Sequence, residues 1–145
     1  ALFSLYAEAD ALVAGWQCDM STDCCRFGVT GREPYVTAVE LAEVLDARKV
    51  SGGKGLSTKR SLPVVDERRC PMLSDEGRCT IYASRPLGCR TFFCAAALAK
   101  LGEKLPRKEF QRIVHAIEAL SLRAFPEKHE SRPLTRALGG GVLSK

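Results

Sequence analysis

The stretch GRCTIYASRPLGCRTFFC, residues 77–94, joins turn signals to three of the chain's seven cysteines. Pro86 suits the first turn of a helix, because the backbone donor that proline lacks would have no partner there anyway. The residues that follow are compatible with a helix from Pro86 to Leu101. The stretch therefore predicts a turn that passes directly into a helix, with Cys89 and Cys94 in its opening turns.

A β-hairpin is predicted immediately before this helix. The segments RCPML (69–73) and RCTIY (78–82) resemble short strands, and SDEG (74–77) lies between them. Gly77 can take the positive φ angle that a tight turn requires. Pairing of the two segments would bring Cys70 and Cys79 close together.

Apolar residues at helical spacing predict further helices on both sides of this region. One helix is expected over Ser4–Trp16, a second over about Ala38 to Lys49, and a third from about Pro106 onward. Thr37 and Glu40 form a capping box at the start of the second. The polar segment 18–34 is interpreted as a loop, and SLPVV (61–65) as a short edge strand.

These elements predict a mainly α fold with a small β-hairpin in one compact, metal-stapled domain. The 145 residues suffice for an ordinary hydrophobic core, so folding does not require disulfides. We expect the domain to span residues 1–125, with its metal core at about 18–94. Residues 126–145, which include three consecutive glycines, are expected to form a loosely attached tail.

The odd cysteine count and the absence of a secretory leader indicate a reducing compartment, so the protein is predicted to be cytoplasmic. No apolar run approaches the roughly 18 residues of a membrane span. The net charge of +5 is scattered rather than arranged as a stripe, which argues against a nucleic-acid interface. Membranes and nucleic acids are therefore not expected partners.

The cysteines fall in three groups, on the predicted loop, the hairpin and the helix start. Loops and turns can direct several thiolates to one point, and nearby arginines offset their negative charge. The spacing matches neither a zinc finger nor the cysteine run of a bacterial ferredoxin. A metal centre is thus predicted without an assigned metal, with these candidate ligands: Cys18, Cys24, Cys25, Cys70, Cys79, Cys89 and Cys94.

Two other interpretations of the thiols stay open. One or two cysteines could be small core residues that bind no metal. A thiol-disulfide switch could use Cys24 with Cys25, or Cys89 with Cys94, since neighbouring arginines lower thiol pKa values. The chain has no C-x-x-C redox motif, which ranks the switch last.

The second half of this pattern resembles the YkgJ-type cysteine-cluster family, described as a zinc- or iron-chelating domain. The family pattern is a CP pair followed by C-x-I-Y-x-x-R-P-x-x-C-R. The resemblance covers about Cys18 to Phe93, and its matching residues in the second half are Cys70, Pro71, Cys79, Ile81, Tyr82, Arg85, Pro86, Cys89 and Arg90.

The first half of the family pattern, CxxCxxCC, is altered in this chain. The segment CDMSTDCC supplies Cys18, Cys24 and Cys25, but Ser21 stands where the second cysteine belongs. A serine hydroxyl is a poor replacement for a thiolate. Either position 21 is not needed for the metal, or another group such as Cys94 takes its place.

The resemblance implies metal chelation, and the family's relation to flagellin lysine methylases favours an iron-sulfur cluster of the [4Fe-4S] type over zinc. Adjacent Cys24 and Cys25 also fit one tetrahedral zinc poorly. The hypothesis is that Cys24 or Cys25 joins Cys70, Cys79 and Cys89 as core ligands. Cys18 and Cys94 would be adjuncts or a second site.

The role beyond chelation is open between a module and an enzyme. Tyr82, Arg85 and Arg90 are candidate cofactor-binding residues, either contacting a substrate anion or supporting the cluster thiolates. The sequence shows no nucleophile with a base and no cofactor loop, which favours an accessory, electron-transfer or metal-handling module over an enzyme. A structural zinc domain and an iron-sulfur enzyme subunit are the alternatives. A protein partner is expected, and the oligomeric state is not predicted.

Overall fold

Helices account for most of the regular structure in the computed structural model, which describes residues 1–13, 32–50, 70–74, 76–91, 105–128 and 130–139. We label the elements α1 (Leu2–Leu12), β1 (Tyr35–Val36), α2 (Ala38–Val50), α3 (Leu87–Arg90), α4 (Arg107–Ala124), β2 (Arg132–Pro133) and α5 (Leu134–Gly139). A short 3-10 helix, Tyr82–Ser84, precedes α3. The predicted mainly α fold with a small antiparallel β element is confirmed.

Helices α1 and α4 pack together and bury one apolar cluster with the start of α3. Their apolar residues recur every three or four positions, so they line one side of each helix. The stripe predicted for α4 is confirmed, whereas α1 begins earlier than predicted and ends at Leu12. The buried members of this cluster are Leu2, Tyr6, Ala9, Leu87, Ile113 and Ile117.

Helix α2 begins with the predicted capping box. The Thr37 amide donates to Glu40 Oε2 at 3.0 Å, and the Glu40 amide donates to Thr37 Oγ1 at 3.4 Å. The Val39 amide, which also lacks a partner within the helix, donates to the buried Ser121 hydroxyl of α4 at 3.3 Å. The backbone N–H groups at the start of α2 are thus paired partly by the capping box and partly by Ser121 of the neighbouring helix α4.

Strand β1 pairs antiparallel with β2, with Tyr35 opposite Pro133 and Val36 opposite Arg132. The Leu134 amide continues this contact by donating to the Pro34 carbonyl at 2.9 Å. Leu134 of α5 is buried in a second cluster that includes Val36. The pairing therefore fixes the segment before α2 against the last part of the described chain.

The segment 130–138 belongs to the region that the sequence assigned to a loosely attached tail. Leu134 and Ala137 are instead buried in the second cluster, so loose attachment is wrong for these residues. Their burial removes apolar surface from water and so stabilises the attachment of this segment. The neighbouring glycines made its apolar residues hard to recognise as core residues in the sequence. Residues 140–145 lie outside the described residues.

The predicted hairpin is reduced to a tight turn with one β-bridge, between Leu73 and Cys79. Around that bridge, the Thr80 amide donates to the Met72 carbonyl at 2.9 Å and the Ser74 amide to the Arg78 carbonyl at 2.8 Å. Gly77 has the predicted positive φ, at 77°. We refer to residues 70–74 and 76–80 as the Cys70/Cys79 turn.

Helix α3 starts at Leu87, one residue after the predicted start, with Pro86 at its N-cap position. The rest of the predicted helix up to Leu101, the predicted strand 61–65 and the predicted loop at 18–31 lie outside the described residues. Among the helices that the structure describes, none has both the length and the hydrophobicity of a membrane span.

Candidate metal centre

Cys70 and Cys79 lie on the same turn and pack in the same apolar cluster. Cys70 is buried, and its carbonyl accepts a hydrogen bond from the Leu73 amide at 3.0 Å. Cys79 is half-buried and packs against the cluster that contains Val36. The predicted association of these two cysteines within one small unit is therefore consistent with the fold.

Cys89 lies in α3, where its amide donates to the Pro86 carbonyl at 3.0 Å. Its half-buried side chain borders a small polar cavity of about 200 Å³. Arg32 and Glu33 line the same cavity, and they directly follow the segment that carries Cys18, Cys24 and Cys25. The fold thus brings Cys89 next to Arg32 and Glu33, which lie more than fifty residues earlier in the chain.

Glu40 is a buried carboxylate that connects the cysteine-bearing helix α3 to the rest of the fold. It is 3% exposed. Its Oε1 accepts from the Leu87 amide at 2.8 Å and from the Tyr6 hydroxyl at 3.3 Å. Its Oε2 accepts from the Thr37 amide at 3.0 Å and the Thr37 hydroxyl at 3.1 Å. These four donors compensate for burial of the charge.

Burial and the neighbouring Glu40 charge raise the pKa of Tyr6 far above its ordinary value. Ionised Tyr6 would be desolvated and would face a second negative group. The Arg90 guanidinium, which lies over the Tyr6 ring at 4.3 Å, opposes this effect only in part. Tyr6 is therefore a hydrogen-bond donor to Glu40 over the whole physiological pH range.

Arg90 follows Cys89 and anchors it to the preceding turn and to α1. Its guanidinium donates to the carbonyls of Arg85 at 2.8 Å and Ala83 at 2.6 Å, and to Asp10 Oδ2 at 2.5 Å. The Arg90 side chain is 5% exposed. These contacts explain Arg90 as an anchor of the fold, and the predicted role toward a cofactor stays a prediction.

Tyr82 and Arg85 form a stacked pair at the surface, with the guanidinium 3.8 Å from the ring centroid. Arg85 Nε also donates to the Tyr82 carbonyl at 3.1 Å, and Tyr82 is 49% exposed. The Tyr82 ring of this stack is partly exposed to solvent. Its predicted role in cofactor binding stays a prediction.

The sequence model of the CxxCxxCC family, described as “Putative zinc- or iron-chelating domain”, matches residues 17–118. The chain belongs to the CxxCxxCC family. The matched region includes all seven cysteines and extends into α4. No curated protein and no solved structure matches the chain.

Thiolates are ligands that both metals named for the CxxCxxCC family accept. The donor chemistry of Cys70, Cys79 and Cys89 therefore fits a zinc or iron centre. Within residues 1–13, 32–50, 70–74, 76–91, 105–128 and 130–139, no three His, Cys, Asp or Glu side chains are grouped as a metal site. Cys18, Cys24, Cys25 and Cys94 lie outside the described residues.

Sequence reasoning recognised Glu40 as part of a capping box but missed its contacts with Tyr6 and Leu87. The capping box is a local signal, whereas these partners lie 34 and 47 residues away. A polar residue that also falls on the buried side of an amphipathic helix is the signal that could have revealed this role. Glu40 shares that side with Leu41 and Val44.

Proposed function

We propose that this protein of the CxxCxxCC family holds an iron-sulfur cluster of the [4Fe-4S] type and serves as an accessory, electron-transfer or metal-handling module. Cys70, Cys79 and Cys89 would hold the cluster together with Cys24 or Cys25. Such a cluster supplies one-electron transfer when bound. The chain's own part is to present the thiolates, limit access of water to them and offer a surface to a protein partner.

The observation that carries this proposal is the cavity that Cys89 shares with Arg32 and Glu33. Cys25 lies seven residues before Arg32, and seven residues span at most about 25 Å. Cys25 is therefore at most about 25 Å from Arg32, which lines the same cavity as Cys89. This supports a centre that draws ligands from both halves of the family pattern.

Anchoring of the cysteine-bearing backbone also supports the proposal. The Cys70/Cys79 turn is fixed by its bridge and by apolar packing, and α3 is fixed through Glu40 and Arg90. A metal site gains affinity when its ligands need little reorganisation on binding. The described cysteines therefore suit ligands of a resident centre better than mobile redox thiols.

A structural zinc centre is the second candidate, and the burial of Cys70 favours it. Cys70 is 6% exposed. Structural zinc sites are closed, with protein side chains at all four positions. In that case the metal would stabilise the domain, and the surface around the site would provide the binding function.

The first experiment is to measure iron, zinc and acid-labile sulfide in protein purified without oxygen, together with its visible spectrum. We expect brown protein with nearly equal iron and sulfide. Colourless protein with stoichiometric zinc would establish the second candidate. Protein that contains neither metal, and takes up neither on reconstitution, would contradict both.

Cys→Ser variants then test the ligand set, and we expect Cys79→Ser and Cys89→Ser to lose most of the bound metal. Thr80→Val is a matched control, because it removes the bond from the Thr80 hydroxyl to the Met72 carbonyl at 2.8 Å without removing a thiol. It should keep its metal. Wild-type metal content in either cysteine variant would refute the proposed ligands.

A further inference from the structure

Helix α3 is held at both ends, on either side of Cys89. Before it, the Leu87 amide donates to the buried Glu40 carboxylate at 2.8 Å. After it, the Arg90 guanidinium binds the Ala83 and Arg85 carbonyls of the preceding turn. A four-residue helix has few internal hydrogen bonds, so these external contacts set its orientation.

The Glu40 anchor is specific for a carboxylate. Both oxygens accept hydrogen bonds, one from α3 and α1 and the other from the Thr37 cap of α2. A glutamine has the same shape but only one acceptor oxygen, so its amino group would face a backbone N–H on one side. An unsatisfied buried donor is costly, and the local structure would shift to avoid it.

The Arg90 anchor is likewise specific for its side chain, the guanidinium. The guanidinium donates to two carbonyls and to Asp10, and it lies over the Tyr6 ring. A lysine ammonium is a compact group and cannot span these acceptors while stacking on the ring. Arg90 thus ties the residue after Cys89 to the preceding turn and to α1.

We propose that Glu40 and Arg90 are positioning residues that aim the Cys89 thiol at the metal centre. This inference rests on the proposed function, in which Cys89 is a ligand. Neither side chain needs to contact the metal. They act through the backbone of residues 87–90, in the way that groups behind metal ligands orient them and tune the site.

The same contacts couple the metal centre to α1 and to the start of α2. Tyr6 and Asp10 of α1 contact Glu40 and Arg90, respectively. If metal binding fixes α3, it also favours the docked position of α1, and coupling between two sites is reciprocal. Metal loading should therefore slow amide exchange in α1 as well as around Cys89.

Glu40→Gln is the test variant, and Ser121→Ala is its matched control. Both remove a hydrogen bond at the start of α2, but Ser121 accepts from the Val39 amide and has no bond to α3. Comparing them separates loss of stability from misplacement of Cys89. Arg90→Lys tests the second anchor independently of Glu40.

The protein is reconstituted without oxygen with ferrous iron and sulfide, and in parallel with zinc. The readouts are the rate of metal release to a chelator, the visible charge-transfer spectrum, and amide exchange at residues 87–91 in the metal-free protein. We expect Glu40→Gln and Arg90→Lys to release metal about tenfold faster, with an altered spectrum and faster exchange at these amides. Ser121→Ala should release metal within about twofold of the wild-type rate.

Wild-type release rates and spectra in both test variants would overturn the inference while leaving the proposed function intact. Equal effects in Ser121→Ala and the test variants would also overturn it, because general stability would then explain them. Wild-type protein that binds neither iron-sulfur nor zinc would refute the proposed function and this inference with it. If Glu40→Gln does not fold, Arg90→Lys decides between these outcomes.

Discussion

Gly88 lies so close to Pro34 that a Cβ on residue 88 would come within 2.8 Å of the Pro34 Cβ. The next nearest atom, the Pro34 Cα, would lie at 3.2 Å. Glycine is required here for close approach of α3 to the chain just before β1, and not for an unusual backbone angle. This contact places Cys89, the next residue, against the segment that follows the first three cysteines.

Gly88→Ala should lower the free energy of unfolding by about 1–3 kcal/mol, the usual cost of overpacking a filled site. The neighbouring atoms belong to a proline and to backbone, which cannot move aside as a flexible side chain would. Denaturant unfolding measures the loss. Metal content should fall as well, since relief of the contact displaces Cys89.

Gly77→Ala is the control for this prediction. A Cβ on Gly77 meets no atom within 4 Å, so its cost comes from the positive φ alone. It should destabilise the protein without changing the amide exchange of Tyr35 and Val36. Unchanged stability and metal content in Gly88→Ala would show that α3 does not need this close approach.

Tyr6 should make stability fall at alkaline pH. Its pKa in the folded protein is raised above the unfolded value of about 10, first by burial and then by Glu40. Below pH 10 the phenol is protonated in both states, so its contribution is fully present. Above pH 10 the unfolded state loses the proton first, and stability falls by up to about 1.4 kcal/mol per pH unit.

The variant Tyr6→Phe lacks the phenol and so lacks this fall in stability at alkaline pH. The difference in free energy of unfolding between the variant and the wild type should therefore narrow as pH rises above 10. Denaturant unfolding at several pH values between 8 and about 11.5 checks the change. At neutral pH the variant should be less stable, because Glu40 loses one donor. Parallel stability curves for the two proteins would contradict the raised pKa.

Arg90 and Asp10 form an ion pair, and substitution of Arg90 should lower the free energy of unfolding more than substitution of Asp10. Arg90→Lys leaves the carbonyls of Ala83 and Arg85 without their donors, at a cost of about 1–3 kcal/mol. The Asp10 side chain is 50% exposed, so Asp10→Ala should cost less than about 1 kcal/mol. Thermal unfolding of both variants tests the ranking, and equal losses would assign the stability to the ion pair instead.

The sequence alone predicted those features of the fold that depend on residues close together in the chain. Thr37 and Glu40 lie three residues apart, and their capping box is present as predicted. Gly77 has the positive φ that its place in a turn required, and the apolar stripe of α4 is buried. Each of these features depends on neighbours within a few residues, so the pattern and the physical cause coincide.

The remaining features depend on contacts between distant segments. Ser121 has no capping signature, yet it completes the start of α2 through Val39. Strand β2 is only two residues long and contains a proline, so no alternation of apolar and polar residues marks it. Leu134 is buried because β2 pairs with β1, which the polar and glycine-rich surroundings did not indicate.

The candidate metal site likewise has some features that the sequence predicts and others that only the structure shows. Thiol chemistry and the family pattern identify Cys70, Cys79 and Cys89 as candidate ligands without a structure. The positions of Glu40 and Arg90 around Cys89 follow from tertiary packing and could not be predicted from spacing. The contacts of Glu40 and Arg90 with the residues around Cys89 are therefore the part that the structure adds.

Metal removal should destabilise the domain, because binding to the folded state adds to its stability. Free metal at 1,000 times the dissociation constant contributes about 4 kcal/mol. We expect a chelator to lower the midpoint of thermal unfolding and to speed amide exchange at Leu73 and Thr80 in the Cys70/Cys79 turn. Unchanged unfolding in protein shown to have lost its metal would mean that the centre has no structural role.

The four-thiolate centre proposed above does not include Cys94, so we expect Cys94 to act in a second site, where it replaces the thiolate missing at Ser21. If so, Cys94→Ser loses bound metal, and adding Ser21→Cys in the same chain restores it, because the motif position regains a thiolate. Metal and sulfide content of the two variants and the wild type measures this directly. The single variant Ser21→Cys is the control and should hold the wild-type amount, since no ligand is missing. Full metal content in Cys94→Ser would show that position 21 is dispensable and that Cys94 is not a ligand.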